Sequence, residues 1–155
     1  MPDIICPLFD LPDHRPLIRQ LADQDIIIRH ARPWERTALC DFIGARFGQG
    51  WVDETTRGYS SNPVSIIIAM AEKAIIGFAA YDVTARAYFG PTGVDEAHRG
   101  KGIGKALFLA AMYGLREMGY VYGVIGAPGP VDFYLKAAPG LVLPAEWTNI
   151  YSATL

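Results

Sequence analysis

Apolar and polar positions change rhythm several times along the chain, and each change marks an element. Asp25-Ile-Ile-Ile-Arg-His30 is a short β-branched run and predicts a strand. Pro33 opens a helix where its missing N–H costs least; Leu39, Phe42, Ile43 and Phe47 recur at helical spacing and Gly48 ends it. Gly50 to Asn62 is polar with two aromatics, Trp51 and Tyr59, and predicts a second short helix and a loop. Val64 to Ala71 and Ala74 to Val83 are apolar runs joined by Glu72-Lys73, a strand-turn-strand unit. Ala85 to Val94 is a third strand of this group. Its Pro91 has no N–H for a ladder, so a bulge or an end to pairing is expected there. Ile103 to Met118 has the clearest helical period, with Ile103, Leu107, Ala111 and Leu115 on one face. Ala106, Ala110 and Gly114 form a small-residue ridge beside that face, suited to close packing on a sheet. Gly119 caps this helix; a strand (Tyr120 to Ile125), a short helix (Pro130 to Ala137) and an extended stretch (Glu146 to Thr154) follow.

The first two dozen residues have another character. Pro2, Pro7, Pro12 and Pro16 interrupt them, and a short helix fits only Pro16 to Ala22. Leu8, Phe9, Leu11, Leu17, Ile18 and Leu21 are too apolar for a free tail. Residues 1–24 are therefore expected to form an arm packed on the domain or on a partner subunit, and residues 25–155 a single domain. Meandering strands come early and a strand-loop-helix-strand unit comes late. That order predicts an α+β fold with a mixed sheet, not a doubly wound parallel one.

Composition narrows the function. With 155 residues, 51% hydrophobic and 19% charged, the chain has the balance of an ordinary globular domain. A formal net charge of −2 gives no electrostatic case for nucleic acid or a membrane surface as partner. The basic cluster His98, Arg99, Lys101 and Lys105 is thus local and suits a small anion. Cys6 and Cys40 lack metal-ligand spacing, no metal is expected, and cysteine usage fits a reducing cytoplasm. The longest apolar run, Ala106 to Tyr113, is too short to cross a bilayer. The proline-broken N-terminus has no basic n-region, so no secretory signal is expected.

The chemistry centres on His98-Arg-Gly-Lys-Gly-Ile-Gly-Lys-Ala106, between the strand with Pro91 and the best helix. A P-loop would need a hydroxyl after Gly104-Lys105, where Ala106 stands. A dinucleotide fingerprint would need different glycine spacing in a first strand-helix unit. What remains is R/Q-x-x-G-x-G/A, met by Arg99-Gly-Lys-Gly102-Ile-Gly104. Unsatisfied N–H groups and the positive dipole end of the Ile103 helix would face a diphosphate there, with Arg99, Lys101 and Lys105 adding charge. The bland alternative is a glycine-rich turn with a solvated basic rim.

On Thr92 to Leu107, on the element order over residues 25–155 and on Phe133-Tyr134, the chain resembles the GNAT N-acetyltransferase superfamily. The resemblance implies a mostly antiparallel central sheet flanked by helices, with the strands at 85–94 and 120–125 splayed apart to admit acetyl-CoA. It implies that Arg99, Gly100, Lys101, Gly102, Ile103, Gly104 and Lys105 hold the cofactor. Backbone groups of Val94 would hold the pantetheine arm, with an N–H near Thr92 to Val94 polarising the thioester. Tyr134 would act as general acid to the departing sulfur; its bland alternative is an aromatic packing a short helix to the sheet. The general base stays open among Asp82, Asp53, Glu54, Asp132 and a water relay. Two positions depart from the family pattern: Ala127 replaces the usual asparagine, and Lys136-Ala-Ala-Pro-Gly140 replaces K-L-G-F.

Trp51, Asp53, Glu54, Asp132 and Trp147 are the candidate acceptor contacts, being acidic or aromatic residues suited to a cationic amine. The expected reaction is acetyl transfer from acetyl-CoA to a primary amine of an amino sugar, amino acid or polyamine. A protein N-terminus or lysine as acceptor, and a non-catalytic acyl-CoA-binding module, are the alternatives. A homodimer is one way to cover the apolar arm.

Overall fold

A computed structural model describes residues 1–152. Seven strands, β1 (Ile4–Pro7), β2 (Ile27–His30), β3 (Ile66–Ala71), β4 (Ala74–Tyr81), β5 (Tyr88–Val94), β6 (Tyr122–Ile125) and β7 (Leu141–Val142), form one sheet in the order β2-β3-β4-β5-β6-β1-β7. All neighbours are antiparallel except β5 and β6, which run parallel. Helices α1 (Arg15–Ala22) and α4 (Ile103–Glu117) pack on one face, while α2 (Arg36–Arg46) and α3 (Gln49–Thr56) cover the other. A short α5 (Val131–Ala137) sends Tyr134 and Ala137 into the core on the α4 side.

The central strands read as continuous apolar runs because both their faces are covered. In β3, Ile67 and Ala69 join the core beneath α4, while Ile66 and Ile68 join the one beneath α2. The small-residue ridge of α4 does what its composition suggests. A Cβ on Gly114 would come within 2.4 Å of the Tyr81 ring, so glycine lets the helix seat directly on β4.

Three expectations change. The arm contains a strand that no local pattern announced: Ile4 to Pro7 pairs with β6 on one side, and its first residues pair with β7 on the other. The strands predicted at 74–83 and 85–94 end and begin closer to β4 and β5, because Asp82 (φ 57°) leaves the extended region and its carboxylate accepts from the Ala87 N–H at 2.8 Å. The extended stretch expected from Glu146 is instead a series of turns through Ser152, with Asn149 Oδ1 accepting the Tyr151 and Ser152 N–H groups at 3.0 Å. Ala153 and Thr154 lie outside the described residues. The short strand near this end is Leu141–Val142.

Burial in the N-terminal segment makes a clear contrast. Leu8 is 0% exposed, whereas its neighbour Phe9 is 62% exposed beneath the Arg116 guanidinium. Leu8→Ala is expected to destabilise the protein by about 2–5 kcal/mol in a denaturant titration, with Phe9→Ala costing under about 1 kcal/mol.

Candidate active site

The site begins where two parallel strands part. β5 and β6 are in register only at Tyr88–Val124 and Phe89–Ile125. On its other edge β5 slips by one residue against β4 between Tyr81–Phe89 and Ala79–Thr92, so Gly90-Pro91 holds the bulge that the proline implied. Gly90 stands at φ +110°, a conformation open to glycine. Beyond it β5 follows β4 and leaves β6. The Asp95 N–H donates to the Ile76 carbonyl at 2.8 Å. With a period of two, the N–H and carbonyl of Val94 therefore face the opposite edge, into the gap. Arg99 Nε donates to that carbonyl at 3.4 Å.

The glycine loop closes one end of the gap. Gly100 (φ +82°) and Gly102 (φ +86°) occupy left-handed conformations and turn the chain into α4. No side chain caps the helix, and its first turn closes with Ala106 N–H on the Gly102 carbonyl at 3.1 Å. The N–H groups of Ile103, Gly104 and Lys105 precede that bond and have no carbonyl one turn earlier to meet. Gly104 is different from its two neighbours. A Cβ there would meet only Phe133 Cζ at 3.7 Å and Val94 Cγ2 at 3.9 Å, ordinary contacts. The protein's own packing does not require glycine at this position, whereas a ligand lying on the helix mouth would.

A cavity of about 600 Å³ runs from this mouth through the gap. Its lining brings Arg99, Gly104 and Lys105 at the helix mouth together with Val94, Phe108 and Tyr134 and with Trp51, Glu54 and Tyr151. Phe89, Phe108 and Tyr134 form its floor, packed edge to face with centroids 5.0–5.8 Å apart. On the α3 side, Phe47 lies so close to β5 that a Cβ on Gly93 would meet its ring at 2.4 Å. Trp51 stacks on Phe47 at 5.2 Å.

Tyr134 is 8% exposed, and burial pushes its hydroxyl up to about 12. The group is protonated throughout the neutral range, as a proton donor must be. Because the folded value lies above the ordinary 10, this group stabilises the fold fully below pH 10, and that contribution is lost as pH rises toward 12. Tyr59 and Tyr81, also pushed by burial to about 12, add the same sign. Ultraviolet titration is expected to show these tyrosines ionising together with alkaline unfolding between pH 10 and 12.

The sequence-predicted residues divide. Val94, Arg99, Gly100, Gly102, Ile103, Gly104, Lys105, Tyr134, Trp51 and Glu54 all line the cavity. Lys101 is exposed off its wall. Asp53, one residue from Glu54, turns outward and accepts from Gln49 Nε2 at 2.9 Å. Asp132 is exposed at the start of α5, and Trp147, 61% exposed, stands clear of the cavity. Asp82 is committed to its turn. Sequence reasoning missed Phe89, Phe108 and Tyr151. The first two carry only the signature of core residues, and Tyr151 lies in a stretch without periodicity. Among the described residues no group of three or more His, Cys, Asp or Glu side chains is placed to hold a metal ion, and no helix is long and apolar enough to cross a membrane.

Residues 62–137 match the family described as acetyltransferase (GNAT) domain. No curated protein matches the chain in sequence. Among solved structures, the chain is similar to a GCN5-related glucosamine N-acetyltransferase region in a fungal multi-domain GH3 beta-N-acetylglucosaminidase. That match has a TM-score of 0.73 and 17% identity, and covers 92% of this chain and 19% of that one. A GCN5-related N-acetyltransferase from Sphaerobacter thermophilus follows at a TM-score of 0.68 and 18% identity, covering 92% of this chain and 49% of the other. An acetyltransferase of the GNAT family from Colwellia psychrerythraea gives 0.62 and 13%, covering 91% and 52%. The chain thus spans about a fifth to a half of these proteins, and at such identities the likeness concerns the fold.

Proposed function

Because the chain belongs to the GNAT acetyltransferase superfamily, we propose that it moves an acetyl group from acetyl-CoA to a primary amine on a small acceptor. The observation that carries this reading is a single cavity, at the gap between β5 and β6, lined both by an uncapped helix mouth and by Glu54, Trp51 and Tyr151. Acetyl-CoA, when bound, supplies an activated acetyl group and a thiolate leaving group.

The chain's own groups suit the rest. The open N–H groups at the start of α4, with Arg99 and Lys105, bind the diphosphate. The gap-facing N–H of Val94 is a fixed donor for an oxygen that gains negative charge during attack. The Tyr134 hydroxyl holds a proton in a buried position, available to a departing sulfur. The acceptor nitrogen gives up its own protons to a water relay or a carboxylate such as Glu54, so that the free amine attacks. Trp51 and Glu54 receive the acceptor. An amino sugar is one acceptor of this kind, since a pyranose face stacks well on an indole. The glucosamine N-acetyltransferase region named above points the same way without deciding it.

Calorimetric titration with acetyl-CoA followed by thiol release across a panel of primary amines tests the proposal. Binding together with amine-dependent release is the expected result. Tight binding without release for any amine would replace transfer by a non-catalytic acyl-CoA-binding role, and absence of binding would remove both.

A further inference from the structure

In this cavity Glu54 has an unusual set of neighbours. The Thr84 hydroxyl and the Tyr151 hydroxyl, the latter at 3.1 Å, both donate to the same carboxylate oxygen, Oε1. No hydrogen bond from the described residues reaches Oε2. Among the described residues no Lys, Arg or His stands within ion-pair distance of this carboxylate. A partly buried negative charge held by two neutral donors has its orientation fixed and its charge uncompensated. Trp51 and Tyr151 line the same cavity as Glu54, Tyr151 reaching the carboxylate through its hydroxyl.

The donors come from distant parts of the chain. Thr84 lies in the β4–β5 turn that Asp82 closes, and Tyr151 in the C-terminal turns. Two contacts hold those turns. Asn149 Nδ2 donates to the Met1 carbonyl at 3.0 Å, and the rings of Tyr88 and Tyr151 close over Gly126, where a Cβ would meet them at 3.0 and 3.1 Å. The Tyr151 hydroxyl is raised above its ordinary value, first by burial, so it stays a donor at neutral pH.

We infer that Thr84 and Tyr151 are positioning residues that tie down Oε1 of Glu54 and leave Oε2 to receive the acceptor as an ammonium, so that the site selects cationic amines over uncharged isosteres. The inference rests on the acetyl-transfer reading for the word acceptor, but the cation site is testable without it. A carboxylate with one free oxygen, in a cavity also lined by Trp51 and Tyr151, matches an –NH3⁺ group, which offers several donors and a charge attractive to ring faces. A hydroxyl of the same shape would satisfy the oxygen and leave the charge uncompensated.

The experiment titrates propylammonium, with propan-1-ol as its uncharged isostere, into the full chain and follows the indole N–H resonance of Trp51. Propylammonium is expected to shift it at concentrations at which propan-1-ol does not. Glu54→Gln is expected to weaken propylammonium binding about 10- to 100-fold. Tyr151→Phe and Thr84→Val, which keep ring and shape, should each weaken it about 2- to 10-fold. In turnover these two variants are expected to raise KM for the amine by similar factors while kcat and acetyl-CoA affinity stay near wild type, a split that general loosening of the fold would not produce. Equal response to amine and alcohol, or unchanged binding in Tyr151→Phe and Thr84→Val, would overturn the inference; should Glu54→Gln fail to fold, these two variants decide. Acetyl-CoA affinity of the wild-type chain is read separately. If acetyl-CoA does not bind, the transfer reading fails and the cation site is judged on its own titration; if transfer proceeds but the two probes behave alike, only the Glu54 assignment fails.

Discussion

Tyr134→Phe is expected to lower kcat for acetyl transfer about 100-fold while acetyl-CoA affinity stays within about twofold of wild type. The substitution removes one oxygen and keeps the ring that packs edge to face against Phe108 at 5.1 Å and Phe89 at 5.8 Å. The floor of the cavity therefore keeps its shape, and stability should change by less than about 1 kcal/mol. Tyr134→Ala serves as the contrast, since it deletes the ring and is expected to cost about 3–5 kcal/mol of stability as well. Steady-state kinetics with thiol detection, paired with calorimetry, separates the two effects. A Phe variant with wild-type kcat would leave Tyr134 as a packing aromatic only.

Gly104→Ala should weaken acetyl-CoA binding about 30-fold and leave the protein as stable as wild type or more so. The opposite signs arise from one methyl group. Alanine is about 1 kcal/mol better than glycine inside a helix, and the new Cβ would meet protein atoms at no less than 3.7 Å, so the fold has no reason to object. In a helix each Cβ leans toward the N-terminus. At Gly104 that direction is the mouth of α4, where the open N–H groups stand, and a methyl there holds a diphosphate away from them. A thirtyfold loss corresponds to about 2 kcal/mol, the scale of a charge-assisted hydrogen bond or two lost from the anion. Thermal denaturation and calorimetry on the same sample check both halves. Unchanged affinity would mean that the anion is held elsewhere.

These two residues also show how unevenly the site could be read in advance. The loop from Arg99 to Lys105 was legible because its geometry is local: glycines that accept positive φ, a helix that starts at once, and charges within a few positions. The bulge at Gly90-Pro91 was legible for the same reason. The part of the cavity at Glu54, where we propose the acceptor binds, was only half legible. Asp53 and Glu54 are adjacent and chemically alike, yet packing of α3 turns one outward to Gln49 and the other into the cavity. Neighbours on a helix point about 100° apart, and only the surface against which α3 packs decides which is which. Lys101 stands in the middle of the basic loop, yet the loop turns it to solvent while Arg99 and Lys105 line the cavity.

By itself the sequence determined the mixed α+β class, the long helix α4 with its small-residue ridge, the glycine turn ahead of it and the place where β5 leaves regular pairing. Each is set by propensities, periods and backbone constraints acting over a few residues. Tertiary structure alone decided that Ile4–Pro7 enters the sheet between β6 and β7, and that Tyr151 reaches Glu54 across 97 positions of chain. A four-residue strand has too few positions for a period, and a contact between distant segments follows from how the whole sheet stacks its neighbours, an outcome no local pattern encodes.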